Sequence, residues 1–106
     1  MSDTLFRIET VIRERRSGDP ATSYVAKLTG QGRARIAQKL GEEAVEAVIA
    51  AIRDDREALT GEAADLLFHL GILLADMGLS FADVFAELDR RGGVSGIAEK
   101  AARADK

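Results

Sequence analysis

Hydrophobic positions recur at helical spacing through most of the chain. Leu5, Ile8, Val11 and Ile12 stand three and four apart between Thr4 and Arg16, one stripe of a helix that Asp3 or Thr4 can cap. Arg13, Arg15 and Arg16 close it with charge that suits a helix C-terminus. The pattern then stops. Ser17 to Gly32 carries Gly18, Pro20, Gly30 and Gly32 and reads as a long connection, the kind that often binds ligands. Periodicity resumes from Arg33 to Arg53. There Ile36, Leu40, Ala44, Ala47, Val48 and Ala51 form a buried side that Val45, Ile49 and Ile52 widen, enough for more than one neighbour. Gly41 interrupts this helix just before Glu42 and predicts close packing there.

Asp54 to Arg56 is a short polar bend, so the next helix runs antiparallel. It starts near Glu57 or Thr60, is apolar nearly all round, and ends at Gly78 as a C′ residue. Ser80 caps a last helix, Phe81 to Arg91, with Phe81, Val84, Phe85 and Leu88 as its core side and Gly92 and Gly93 ending it. A tail from Val94 to Lys106 holds a short amphipathic piece with Ile97, Lys100 and Arg103. The whole predicts a helical fold in a single domain over residues 1–106.

Composition narrows the classes. Ala, Leu, Glu and Arg dominate, a helix-favouring mixture. A net charge of −3 gives no general affinity for nucleic acid, and the absence of cysteine removes disulfides and thiolate metal sites. No signal peptide is visible and no apolar run reaches the length of a membrane span, which predicts no membrane partner and a cytoplasmic protein.

The informative polar positions are five carboxylates on the two central helices. Glu42, Glu43 and Glu46 read E-E-x-x-E, and Glu62 and Asp65 read E-x-x-D, each group on one side of its helix. His69 extends the second line by one turn, as a residue that supports ligands rather than being one. An antiparallel bend puts Glu46 and Glu62 at similar heights. Carboxylates gathered on an apolar helix need a cation, and oxygen ligands from two helices suit Mg²⁺. The predicted ligands are Glu43, Glu46, Glu62 and Asp65, with Glu42, Glu43 and Glu46 as the catalytic carboxylates. On the first helix, Arg35, Lys39, Glu42, Glu46 and Arg53 also share a face, and a solvated, salt-bridged surface would look the same.

Three segments carry a resemblance: R-E-R-R-S-G-D-P-A-T-S-Y-V-A-K-L, then I-A-Q-K-L-G-E-E-A-V-E, then E-A-A-D-L-L-F-H-L. Together they resemble the phosphoribosyl-ATP pyrophosphohydrolases of histidine biosynthesis, within the wider all-α nucleoside-triphosphate pyrophosphohydrolase (MazG-like) group. The resemblance implies an all-α, four-helix-bundle-like, dimeric fold and Mg²⁺-dependent hydrolysis of phosphoribosyl-ATP to phosphoribosyl-AMP and pyrophosphate. Arg15, Ser23, Tyr24, Lys27, Lys39 and Arg91, which flank the acidic motifs or match these segments, are the expected contacts for a phosphorylated nucleotide. A housecleaning pyrophosphohydrolase for free nucleotides is the nearest alternative. A di-iron bundle needs E-x-x-H on two helices and fails, since the sole histidine, His69, is spaced D-x-x-x-H and only a symmetric dimer could supply two. A non-enzymatic helical interaction module leaves the converging carboxylates without purpose. The broad apolar arcs of the two central helices predict a homodimer.

Overall fold

The computed structural model describes residues 2–92. The described residues form five helices: α1 (Ser2–Arg15), α2 (Tyr24–Gly30), α3 (Arg33–Ile52), α4 (Arg56–Asp76) and α5 (Phe81–Arg91). The tail from Val94 to Lys106, and with it the amphipathic piece at Ile97, Lys100 and Arg103, lies outside the described residues.

The frame is the antiparallel α3–α4 hairpin, whose helices pack on each other along their length. Its bend is tight because two aspartates do different jobs. Asp54 takes the left-handed backbone conformation (φ 55°), which Asp tolerates better than most residues, and the Asp55 side chain caps α4 by accepting from the Ala58 N–H at 3.0 Å. At the far end Gly78 (φ 72°) terminates α4 in the expected C′ position. Ser80 and Asp83 then build a reciprocal capping box for α5.

The segment from Ser17 to Gly32 corrects the expectation of a continuous loop. Asp19 organises a turn, its carbonyl accepting from the N–H groups of Thr22 and Ser23. Ser23 Oγ then accepts from the Ala26 N–H and starts α2, which buries Val25, Ala26 and Leu28. The helix is a mere seven residues long, too short for its periodicity to stand out between the breakers Pro20 and Gly30.

The core is off-centre. Ile12, Val25, Leu28, Ile36 and Ile72 pack together, with Ile8, Phe68, Leu73 and Ala75 around them. It therefore lies where α1 and α2 cover the end of the hairpin away from the bend. The close approach falls at Gly71, where a Cβ would stand 2.8 Å from Ile12 Cδ1 and 3.2 Å from the Phe81 ring. Gly41, where sequence placed it, has open space. Among the described residues the bend half of the hairpin has no third layer, so Val45, Val48, Ile49 and Ile52 on α3 are exposed there, against the reading of Val48 and Ala51 as buried. Leu88 on α5 is likewise exposed.

Polar clamps join the layers. Glu9, buried in α1, accepts from the Phe81 N–H at 2.7 Å and so adds a second cap to α5. Asp76 at the end of α4 accepts from Arg16 at 3.4 Å and from Arg33 at 2.9 Å, and these two guanidiniums hold its carboxyl below the usual carboxylate range. α4 is also 21 residues long and apolar enough to cross a membrane by length and composition, against the expectation that no stretch is. Here it pairs with α3 and turns Glu62 and His69 toward protein side chains, and His69, Gly71 and Ile72 are its buried residues.

Candidate active site

Because α3 and α4 run antiparallel from one bend, residues at equal distances from it face each other. Carboxylate oxygens of Glu43, Glu62 and Asp65 lie within 4.8 Å of one another. Glu43 is buried, Glu62 half-buried and Asp65 exposed, so the cluster opens to solvent on one side. Glu46 joins it from α3, within hydrogen-bonding reach of Glu62. The neighbouring carboxyl groups of Glu46 and Glu43, together with burial, push Glu62 up to about 7. One buried oxygen of Glu43 and one of Glu62 (Oε2 in each) have no hydrogen-bond partner. A shared proton is one way to relieve that crowding; a divalent cation is the other, and the all-oxygen donor set fits a hard one. The cluster can therefore hold a metal ion.

Glu42 stands apart from these four. It accepts from Gln38 at 3.1 Å and from Lys39 at 3.4 Å, with Arg35 at 3.7 Å, all on its own helix. The Arg35, Lys39 and Glu42 part of the salt-bridged face anticipated for α3 is thus paired, and it is the N-terminal neighbour of the acidic cluster. Lys39 bridges the two, lying 3.8 Å from Glu43 as well, and its hydrogen bond to Glu42 holds the ammonium above its ordinary pKa.

His69 is buried beside the cluster, and its partners define its state. Nδ1 lies 2.7 Å from the Asp65 carbonyl oxygen, which can only accept, so Nδ1 carries the proton and Nε2 accepts from the Tyr24 hydroxyl at 2.7 Å. His69 therefore bonds the backbone of Asp65 rather than its carboxylate, and ties α2 to the acidic turn of α4. Tyr24 stacks on Phe68, with ring centroids 6.5 Å apart. Burial raises the Tyr24 pKa; Lys39 and Arg35 pull it down and Glu43 and Asp65 push it up, so the hydroxyl sits between the basic and acidic groups.

Two cavities adjoin Tyr24. One, of about 140 Å³, is lined by Tyr24, Lys27, Leu28, Gln31, Arg35 and Lys39. The other, of about 600 Å³, includes Arg15, Ser23, Tyr24 and Phe68 in its wall. Five of the six anticipated substrate contacts thus border one region. The sixth, Arg91, is held by Glu87 at 3.0 Å on α5, a helix that packs on α1. Gln31, Arg35 and Phe68 were not singled out from sequence. Arg35 was visible on the Lys39 face, and Gln31 follows Lys27 by one turn, a relation apparent only once α2 is known to be a helix.

A helical hairpin that gathers acidic side chains at one height, with a basic wall beside them, defines a class: all-α proteins equipped to hold a cation next to an anionic ligand. The family model for phosphoribosyl-ATP pyrophosphohydrolase matches residues 5–92, and the chain belongs to that family. Similar curated proteins, each called phosphoribosyl-ATP pyrophosphatase, come from Rhizorhabdus wittichii (65% identical, covering 97% of both chains) and Novosphingobium aromaticivorans (59% identical, 97% of this chain and 96% of the relative). A third, from Zymomonas mobilis, is 62% identical over 95% of this chain and 94% of its own.

Proposed function

We propose that the chain hydrolyses phosphoribosyl-ATP to phosphoribosyl-AMP and pyrophosphate, the second step of histidine biosynthesis, with Mg²⁺ at the carboxylate cluster. The observation that carries the metal reading is the crowding of Glu43, Glu62 and Asp65 within 4.8 Å, with two buried oxygens lacking donors. Family membership supplies the substrate. Glu43, Glu62 and Asp65 would hold the ion, with Glu46 completing the set from the exposed side. Bound Mg²⁺ supplies charge neutralisation on the polyphosphate and a more acidic water.

The rest falls to the chain's own groups. A water oxygen bonds to the α-phosphorus while the bond from that phosphorus to the α–β bridging oxygen breaks. The electron pair leaves on pyrophosphate, and the proton of the water passes to a carboxylate. The role is assigned to Glu46 because it is exposed and borders Glu62, whereas Glu42 is engaged by Arg35 and Lys39. Lys39 offsets charge next to the reacting anhydride. Tyr24, fixed by His69 and Phe68, offers a ring and a hydroxyl oxygen to the nucleotide; Arg15, Ser23 and Lys27 lie along the same wall.

A second copy of the chain is proposed to cover α3. Val45, Val48, Ile49 and Ile52 are all exposed at i, i+3, i+4 and i+7, a continuous apolar stripe that a two-fold axis would bury against itself.

The test compares pyrophosphate release from phosphoribosyl-ATP and from ATP, with and without Mg²⁺. Preference for phosphoribosyl-ATP is expected, and equal rates on ATP would favour a general nucleotide hydrolase. Asp65→Asn keeps the shape and removes a charge; it should abolish both turnover and the Mg²⁺-induced rise in melting temperature. An Asp65→Asn protein that keeps full Mg²⁺-dependent turnover would overturn the ligand set.

A further inference from the structure

The two cavities that meet at Tyr24 differ in charge and size, and the difference gives the substrate a direction. The smaller is walled by the cations Lys27, Arg35 and Lys39 and the amide of Gln31. At about 140 Å³ it is below the size of a pocket for a whole nucleotide. Its side chains are donors that suit an oxyanion, and Lys39 connects it directly to Glu42 and Glu43. The larger, about 600 Å³, falls in the usual range for a small-molecule site. Its wall mixes Arg15 with Glu14 and Asp19, beside the stacked rings of Tyr24 and Phe68. Two carboxylates against one guanidinium repel a polyphosphate, while an aromatic face with hydroxyl and carboxylate acceptors suits a base and sugars, and Arg15 can meet a single terminal phosphate.

We infer that the cavity lined by Lys27, Gln31, Arg35 and Lys39 is the subsite for the β- and γ-phosphates, hence for the leaving pyrophosphate, and that the purine and phosphoribosyl end lies across Tyr24 in the larger groove. This rests on the pyrophosphohydrolase reading above and adds Arg35 and Gln31 as residues that grip the leaving group. The α–β bridge then lies past Lys39 at the carboxylate cluster. The negative charge that develops on the leaving oxygen faces the cationic wall, so Arg35 contributes to the chemical step and to product retention.

Direct binding of inorganic pyrophosphate in the presence of Mg²⁺, measured by calorimetry on the full-length protein, tests this alongside inhibition by phosphoribosyl-AMP. Arg35→Gln should weaken pyrophosphate binding about tenfold or more, the effect of losing a charge-assisted contact, and shift phosphoribosyl-AMP inhibition by less than about twofold. Arg35→Lys, which keeps the charge, should recover most of the affinity. Arg15→Gln should show the converse pattern. Gln31→Glu is a second variant that removes no packing; the carboxylate it adds should also weaken pyrophosphate, and circular dichroism confirms that each variant is folded. Unchanged pyrophosphate affinity in both Arg35→Gln and Gln31→Glu would overturn the subsite, as would equal losses for both products. The two readings fail separately. A wild-type protein that binds pyrophosphate through Arg35 yet does not turn over phosphoribosyl-ATP would keep the subsite and remove the catalytic assignment; active protein indifferent to Arg35 would do the reverse.

Discussion

Asp76 shows what a single carboxylate does for this fold. It joins α1 and α3 to the end of α4 through Arg16 and Arg33, and its pKa is lowered by those contacts. A depressed folded-state pKa means that the unfolded chain takes up the proton first as acid is added. The stabilisation is therefore complete above the ordinary value of 3.8 and is lost as pH falls through the lower folded value. Asp76→Asn should flatten the acid limb of the stability–pH curve below about pH 4 and cost on the order of 1–2 kcal/mol at pH 7, from two weakened charge-assisted hydrogen bonds. Urea melts across pH 3 to 7 would check it, and an unchanged acid limb would place the sensitivity elsewhere. Glu9, a buried carboxylate that also clamps two helices, was missed from sequence because it lies on a helix whose apolar stripe alone was read; its partner is a backbone N–H far along the chain.

Among elements, α4 and α3 each carry an interior glycine whose surroundings differ. A side chain at Gly71 would collide with Ile12 and press on Phe81, whereas one at Gly41 meets nothing within 4 Å. Alanine improves the intrinsic helix preference at both by about 1 kcal/mol. Gly41→Ala should therefore raise stability by roughly 0.5–1 kcal/mol, while at Gly71 the overpacking, typically about 1–3 kcal/mol, outweighs the gain and the variant should be less stable. Thermal melts that moved both variants in the same direction would contradict the packing. α2 belongs to the same scale. Its cap, Ser23, was legible as a polar residue before an apolar triplet, but a helix of seven residues gains its stability from burying Val25, Ala26 and Leu28, which no local pattern displays.

At the scale of the molecule, the hairpin is covered at one end and bare at the other. The exposed stripe from Val45 to Ile52 lies on the side of α3 that no helix among the described residues covers. Ile49→Glu places a charge in the middle of it. If two copies pair there, this change should shift the protein from dimer to monomer at micromolar concentration, read by light scattering, while α3 stays folded because the position is already half exposed. A dimer that survives Ile49→Glu would move the contact to another face.

The chain's own pattern determined the four long helices, the antiparallel bend and the convergence of E-E-x-x-E on E-x-x-D. All three depend on near-neighbour spacing: 3.6 residues per turn, caps such as Asp55 and Ser80, and a connector too short to do anything but reverse direction. Tertiary structure decided which carboxylates share a point. Glu43 joins Glu62 and Asp65, while its neighbour Glu42, about 100° round the helix, turns to Arg35 and Lys39. It also decided that His69 grips the Asp65 carbonyl and Tyr24, that Gly71 and not Gly41 marks the close approach, and that Gln31 and Arg35 complete a basic cavity. Spacing along one helix says which residues share a face; what that face meets is set by how α1 and α2 close over a single end of the hairpin.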